Sequence, residues 1–139
     1  MDGVEVKKAL TLSDLEWRII GALWEKGVLN VKETWQRLFP EAEKAYTTVQ
    51  TYMDRMVEKK LLKKEKIGLV NFYRPLVDER TLKKRATEKF VSNTFNGSIG
   101  RLAAFLLDSW EITAEELGQI KKLIDQKAGE TDGKHDIPD

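Results

Sequence analysis

Residues 45–60 read AYTTVQTYMDRMVEKK, and the opening run of tyrosine, threonines and valine suits a β-strand as readily as a helix. Periodicity separates the two. At 100° per residue Val49, Tyr52, Met53, Met56 and Val57 cluster on one side of a helix. The opposite side carries Thr47, Thr51, Asp54 and Glu58, flanked by Thr48, Gln50 and Arg55. At its N-terminal end this face is built from neutral hydrogen-bonding groups, not from the lysines and glutamates of an ordinary solvated helix. Threonine weakens a helix slightly, so a requirement other than helix propensity places three of them here.

The preceding stretch LSDLEWRIIGALWEKG places Ser13 and Glu16 at capping-box spacing. Leu15, Ile19, Ile20, Leu23 and Trp24 recur at helical spacing with Trp17 beside them, and Gly27 supplies a stop. The tryptophans at this period are core residues, not a ligand box. In NVKETWQRLFPE, Asn30 caps a shorter helix with an apolar stripe of Val31, Trp35, Leu38 and Phe39, ended by Pro40. After the quoted stretch, LLKKEKIGLVNFYRPL predicts a strand over 62–67, a tight turn at Gly68 and a return strand over 70–74. Its lysines could be guards against edge-to-edge pairing or cations for a polyanion.

From Glu79 the texture changes to a long basic helix with Leu82, Ala86, Phe90 and Val91, broken by Asn96-Gly97-Ser98. A further helix carries Ile99, Leu102, Ala103 and Leu106 on one face, with Trp110 near its end. Thr113 and Glu116 repeat the capping-box spacing ahead of a last helix with Leu117, Ile120, Leu123 and Ile124, which Gly129 is expected to end. The expected organisation is a winged-helix domain over 1–77, a helical segment over 78–128 and a disordered tail over 129–139. The fold class is mostly α with a small β-hairpin wing.

Charge is unevenly spread along the 139 residues. Residues 1–43 carry 6 basic and 8 acidic groups, residues 44–89 carry 13 and 6, and residues 90–139 carry 5 and 9, or −2, +7 and −4. A basic middle third in a nearly neutral chain makes a candidate polyanion binder, the alternative being an ordinary solvated surface. Zero cysteines exclude disulfides, thiolate nucleophiles and cysteine-based metal sites, and no cofactor is expected. The lone histidine, His135, lies in the tail, so the usual nucleophile and base pairs are missing and catalysis is not expected. The N-terminal MDGVEVKKAL has no signal-peptide core and no apolar run is long enough for a bilayer. A cytoplasmic protein without membrane insertion is expected.

Three helices followed by a hairpin is the order of a winged helix-turn-helix, whose third helix, here about 46–60, enters the major groove while the wing, about 62–75, lies on the backbone. Base contacts are expected from Thr47, Thr48, Gln50, Thr51 and Arg55: glutamine can pair with adenine, arginine can take guanine or a phosphate, and threonine methyls can meet thymine methyls. Phosphate contacts are expected from Lys44, Tyr46, Lys63, Lys64 and Lys66, and from free amides at the helix N-terminus. The competing reading is a winged-helix module that binds protein without sequence-specific DNA binding.

LSDLEWRIIGALWEKG, YTTVQTYMDRMVEKKLLKKEKIGLVNFYRPLV, NGSIGRL and ITAEELGQIKKLID, in that order, resemble the BlaI/MecI/CopY family of penicillinase-type repressors from about Leu12 to Gln126. The resemblance implies a dimeric transcriptional repressor on a palindromic operator, with recognition contacts falling on Thr47, Thr48, Gln50, Thr51 and Arg55. Copper-responsive members carry a C-terminal cysteine cluster, which this chain lacks. Beta-lactam-responsive members are cleaved at an Asn-Phe bond in the second helix of the C-terminal segment, where this chain has Phe105-Leu106. Its one Asn-Phe pair, Asn71-Phe72, falls in the wing. A regulatory protease is thus a candidate partner without its usual bond. The C-terminal helices, too short to stabilise themselves, point independently to a homodimer, with Leu102, Leu106, Trp110, Leu117, Ile120 and Ile124 expected at the interface.

Overall fold

The computed structural model describes residues 11–135. The elements in chain order are α1 (Asp14–Lys26), β1 (Leu29–Asn30), α2 (Val31–Leu38), α3 (Tyr46–Glu58), β2 (Leu62–Ile67), β3 (Val70–Pro75), α4 (Glu79–Phe95), α5 (Ile99–Ser109) and α6 (Ala114–His135). The chain divides into two compact units between Gly97 and Ser98.

Caps set the helix starts in the first unit. Ser13 Oγ accepts from the Glu16 amide while Glu16 Oε1 accepts from the Ser13 amide, and Asn30 and Glu33 repeat the reciprocal pair on α2. Ile19, Ile20 and Leu23 of α1 and Val49, Met53 and Met56 of α3 are fully or almost fully buried in one core. The apolar stripe read in residues 45–60 is therefore the buried face. Leu61, Leu62, Leu29, Val31, Phe39 and Tyr73 complete the core beneath the sheet.

The end of α3 is tied directly to the wing. The Lys60 amide donates to the Val57 carbonyl and the Leu61 amide to the Met56 carbonyl, with Lys60 at φ 65°, a Schellman arrangement that closes the helix. Leu61 and Met56 are both buried beside it, so β2 begins at a fixed angle to α3.

Three differences from the sequence reading have physical causes. The expected two-stranded wing is part of a three-stranded antiparallel sheet in the order β1-β3-β2, because Leu29 and Asn30 pair with Tyr73 and Phe72. The boundary expected at 77 lies instead at 97, since Leu82 of α4 is buried in the first unit's core and the Trp24 indole donates to the Val77 carbonyl at 2.9 Å. Finally, Gly129 does not end the last helix, which continues to His135 in place of the expected tail. One helical glycine costs only about 1 kcal/mol, and Gly129 has no positive φ. Residues 136–139 of that tail lie outside the described residues.

A buried ion pair joins α1 to the end of α3. Lys59 Nζ meets Glu16 Oε2 at 2.7 Å, and Glu16 is only 5% exposed. Burial pushes the Glu16 carboxyl up, but the Lys59 hydrogen bond, the Ser13 amide and the Lys59 charge outweigh it and hold the group below its ordinary value. A lowered folded-state pKa contributes stability above the unfolded value and loses it as pH falls through the lowered one. Glu16→Gln keeps a cap acceptor and removes the charge. It is expected to destabilise the fold by about 1–3 kcal/mol at neutral pH, with the difference from wild type shrinking below pH ~4.5, as read by urea melts across pH.

In the second unit the balance is different. No described residue from 98 to 131 is buried. Leu106, Leu107, Trp110, Leu117, Ile120, Leu123 and Ile124 all stand exposed on two helices, so α5 and α6 have apolar faces without a core between them.

Candidate nucleic-acid interface

The polar face of α3 stands clear of the core: Thr47, Gln50, Thr51 and Arg55 are exposed and Thr48 is half-buried. The start of this helix is held from outside. Trp35 of α2 donates its indole N–H to the Lys44 carbonyl at 2.7 Å, and its ring meets Tyr46 edge-on with centroids 5.9 Å apart. Lys44 and Tyr46 are thereby set at the entrance of α3, both exposed. Ala45 at the N-cap offers no side-chain hydrogen bond; the Thr48 amide donates to the Ala45 carbonyl, and the Tyr46 and Thr47 amides are left without a cap acceptor at the positive end of the helix dipole.

The five residues expected to touch bases line two concavities. Thr47, Thr48, Thr51 and Arg55 line a shallow open concavity together with Tyr52. Gln50 lines a different one, a cleft of about 380 Å³ toward the wing that it shares with Tyr46, Asn30, Lys32, Leu69 and Asn71. The Thr51 hydroxyl donates to the Thr47 carbonyl at 2.9 Å, so its methyl and remaining acceptor capacity are what it presents outward.

The wing lysines have unequal surroundings. Lys64 Nζ lies 3.0 Å from Asp54 Oδ1 and over the Tyr73 ring, while the Tyr73 hydroxyl donates to the same carboxylate oxygen at 2.7 Å. Burial, then the Asp54 hydrogen bond and charge, raise the Tyr73 phenol far above its ordinary pKa, so it remains a donor at any physiological pH. The acid in the middle of the polar face of α3 is thus turned onto the wing and neutralised there. Lys63 pairs with Glu65 at 3.4 Å, and Glu65 also accepts from Arg74 at 2.8 Å. Lys66, near the tip, has no carboxylate partner among the described residues.

Sequence reasoning did not find Lys32 and Asn71 in the wing-side cleft or the Asp54–Tyr73 link. The Asp54–Tyr73 link spans 19 positions and the cleft gathers residues from several separate elements and a turn, and helix or strand periodicity carries no information about such partners. Among the described residues no group of acids and histidine could hold a metal ion, and no helix is long and apolar enough to cross a membrane.

Residues 12–126 match the family model described as penicillinase repressor. The chain belongs to the penicillinase repressor family. The match extends from before α1 into α6, so the winged unit and both C-terminal helices are family features. This penicillinase repressor family member is 23% identical over 121 residues to the penicillinase repressor of Bacillus licheniformis, covering 87% of this chain and 94% of that one. It is 18% identical over 120 residues to the methicillin resistance regulatory protein MecI of Staphylococcus aureus (strain N315), covering 86% and 98%. Among solved structures, the DNA-binding domain of the repressor BlaI aligns with a TM-score of 0.47 at 28% identity, over 51% of this chain and 87% of that one. The antimony-specific transcriptional repressor AntR aligns at 0.46 with 20% identity, over 70% and 82%.

Proposed function

We propose that this protein is a sequence-specific DNA-binding transcriptional repressor that acts in the cytoplasm as a homodimer on a palindromic operator. The observation that carries the reading is the exposed Thr47, Thr48, Thr51 and Arg55 face of α3, held at a fixed angle between the Trp35 clamp and a lysine-bearing wing. Short hydroxyls and a guanidinium on a helix reach base edges in a major groove. The first-turn amides with Lys44, Tyr46, Lys63 and Lys66 face the phosphates on either side. Lys64 joins them at the cost of weakening its Asp54 contact.

The homodimer is supported by the coreless second unit. Two copies pairing α5 and α6 would cover Leu102, Leu106, Trp110, Leu117, Ile120 and Ile124, all at least partly exposed in one chain. A two-fold dimer presents two α3 helices about 34 Å apart, or a multiple of that, to two half-sites. Family membership supports the same reading.

Binding to duplex DNA, measured by anisotropy from 50 to 200 mM salt, tests it. With some 6–10 phosphates neutralised, affinity is expected to fall about 10³- to 10⁵-fold across that range. A flat salt response would favour a protein-binding module instead.

A further inference from the structure

The wing ends in an apolar tip that the winged unit does not use. Leu69 is 94% exposed, Ile67 is 62% exposed, and Val70 is also exposed. The tip is rigidly made: Ile67 and Val70 pair across a two-residue turn with Gly68 at φ 65°, the glycine-first geometry that suits a tight hairpin. It also projects. β1 pairs no farther toward the tip than Phe72, so Asn71 and Val70 carry the hairpin about 7 Å beyond its last partner strand residue.

The tip is continuous with the surface assigned to DNA. Leu69, Val70 and Asn71 of the wing line one cleft together with Tyr46 and Gln50 of α3 and Lys32 of α2. With α3 filling a major groove about 12 Å wide, a cleft on its flank bearing Lys32 faces the phosphodiester strand that borders the groove. Beyond that strand lies the minor groove, which is where a projecting tip arrives. Aliphatic side chains are the groups that architectural proteins insert there, and Lys66 beside the tip supplies the attraction to phosphate.

We infer that the cleft seats one strand of the duplex and that Leu69 enters the adjacent minor groove, where it selects A·T pairs outside the sequence read by α3. The selection is steric and polar: guanine places its 2-amino group in the minor groove, and a leucine over it leaves that donor without an acceptor. Gln50 then serves the strand in the cleft as well as any base within its reach. This inference rests on the DNA-binding reading.

The test uses the full-length dimer and a 40-bp duplex enriched by the wild-type protein from a random-sequence pool. A·T pairs at the flanking steps are replaced by G·C or by I·C, which shows a G·C-like major groove but lacks the 2-amino group. Wild type is expected to lose about tenfold in affinity with G·C and to be unaffected by I·C. Leu69→Ala, at a fully solvated position, keeps the fold and the salt dependence but loses the discrimination. Equal losses with I·C and G·C, unchanged discrimination in Leu69→Ala, or an enriched pool without flanking A·T preference would each overturn the wing assignment alone. No salt-dependent duplex binding by wild type would remove the DNA reading, and the wing assignment with it.

Discussion

Placing charge in the second unit, by Leu106→Asp with Ile120→Asp, is expected to give a folded monomer whose affinity for a two-half-site duplex is lower by about 10²- to 10⁴-fold. The range follows from avidity: when one half-site is bound, the second recognition helix acts at a high effective concentration, and separating the subunits forfeits that factor. Both side chains are exposed in the single chain, so the carboxylates meet water in the monomer and are desolvated only in a pair of chains. The winged unit has its own core of buried residues from α1, α3 and the sheet and should retain its unfolding transition. Sedimentation velocity reads the mass, and titration of duplexes with one and two half-sites reads the loss. A variant that remains a dimer, or that binds both duplexes as wild type does, contradicts the assignment of α5 and α6.

The second large effect is expected at Arg55. It is exposed on the concavity shared with Thr47, Thr48 and Thr51, and a bidentate arginine–guanine contact is worth about 1–3 kcal/mol. Arg55→Ala should therefore weaken binding to the selected sequence by roughly 5- to 150-fold per half-site, with less effect on a scrambled duplex. Lys66→Ala should weaken all sequences alike and lower the salt slope by about one per half-site. Thr51→Ala separates stability from function in the same way, because alanine is the better helix former by a few tenths of a kcal/mol. A higher melting temperature together with weaker selective binding is the expected pair of results.

Local chemistry made much of this fold readable. The period of Val49, Met53 and Met56 identifies the buried side of α3 without reference to any partner, and all three are fully buried. The reciprocal caps at Ser13 and Glu16 and at Asn30 and Glu33 involve residues three apart, well within what sequence spacing can specify. Long-range pairing was not readable. A strand of two residues, Leu29–Asn30, has no periodicity of its own and exists because β3 offers an edge. Leu82 looks the same in sequence whether it packs within a C-terminal segment or, as it does, in the first unit.

The candidate site divides along the same line. Which side of α3 is polar follows from helix geometry, but how that side is partitioned does not. Gln50 falls toward the wing while Thr47, Thr48, Thr51 and Arg55 fall away from it, and this depends on where β3 lies. Asp54 reads in sequence as an acid on a DNA-facing stripe, an unfavourable neighbour for phosphate. In the structure Tyr73 and Lys64 hold it at 2.7 and 3.0 Å, which converts the apparent conflict into the joint between helix and wing.

In the proposed repressor the polar face of α3 reads sequence. The most direct measurement of that reading is the ratio of affinities for a duplex enriched from a random pool and for a scrambled duplex of equal composition, at about 150 mM salt. A ratio of at least ~10³ is predicted, and equal affinity for the two duplexes would contradict it.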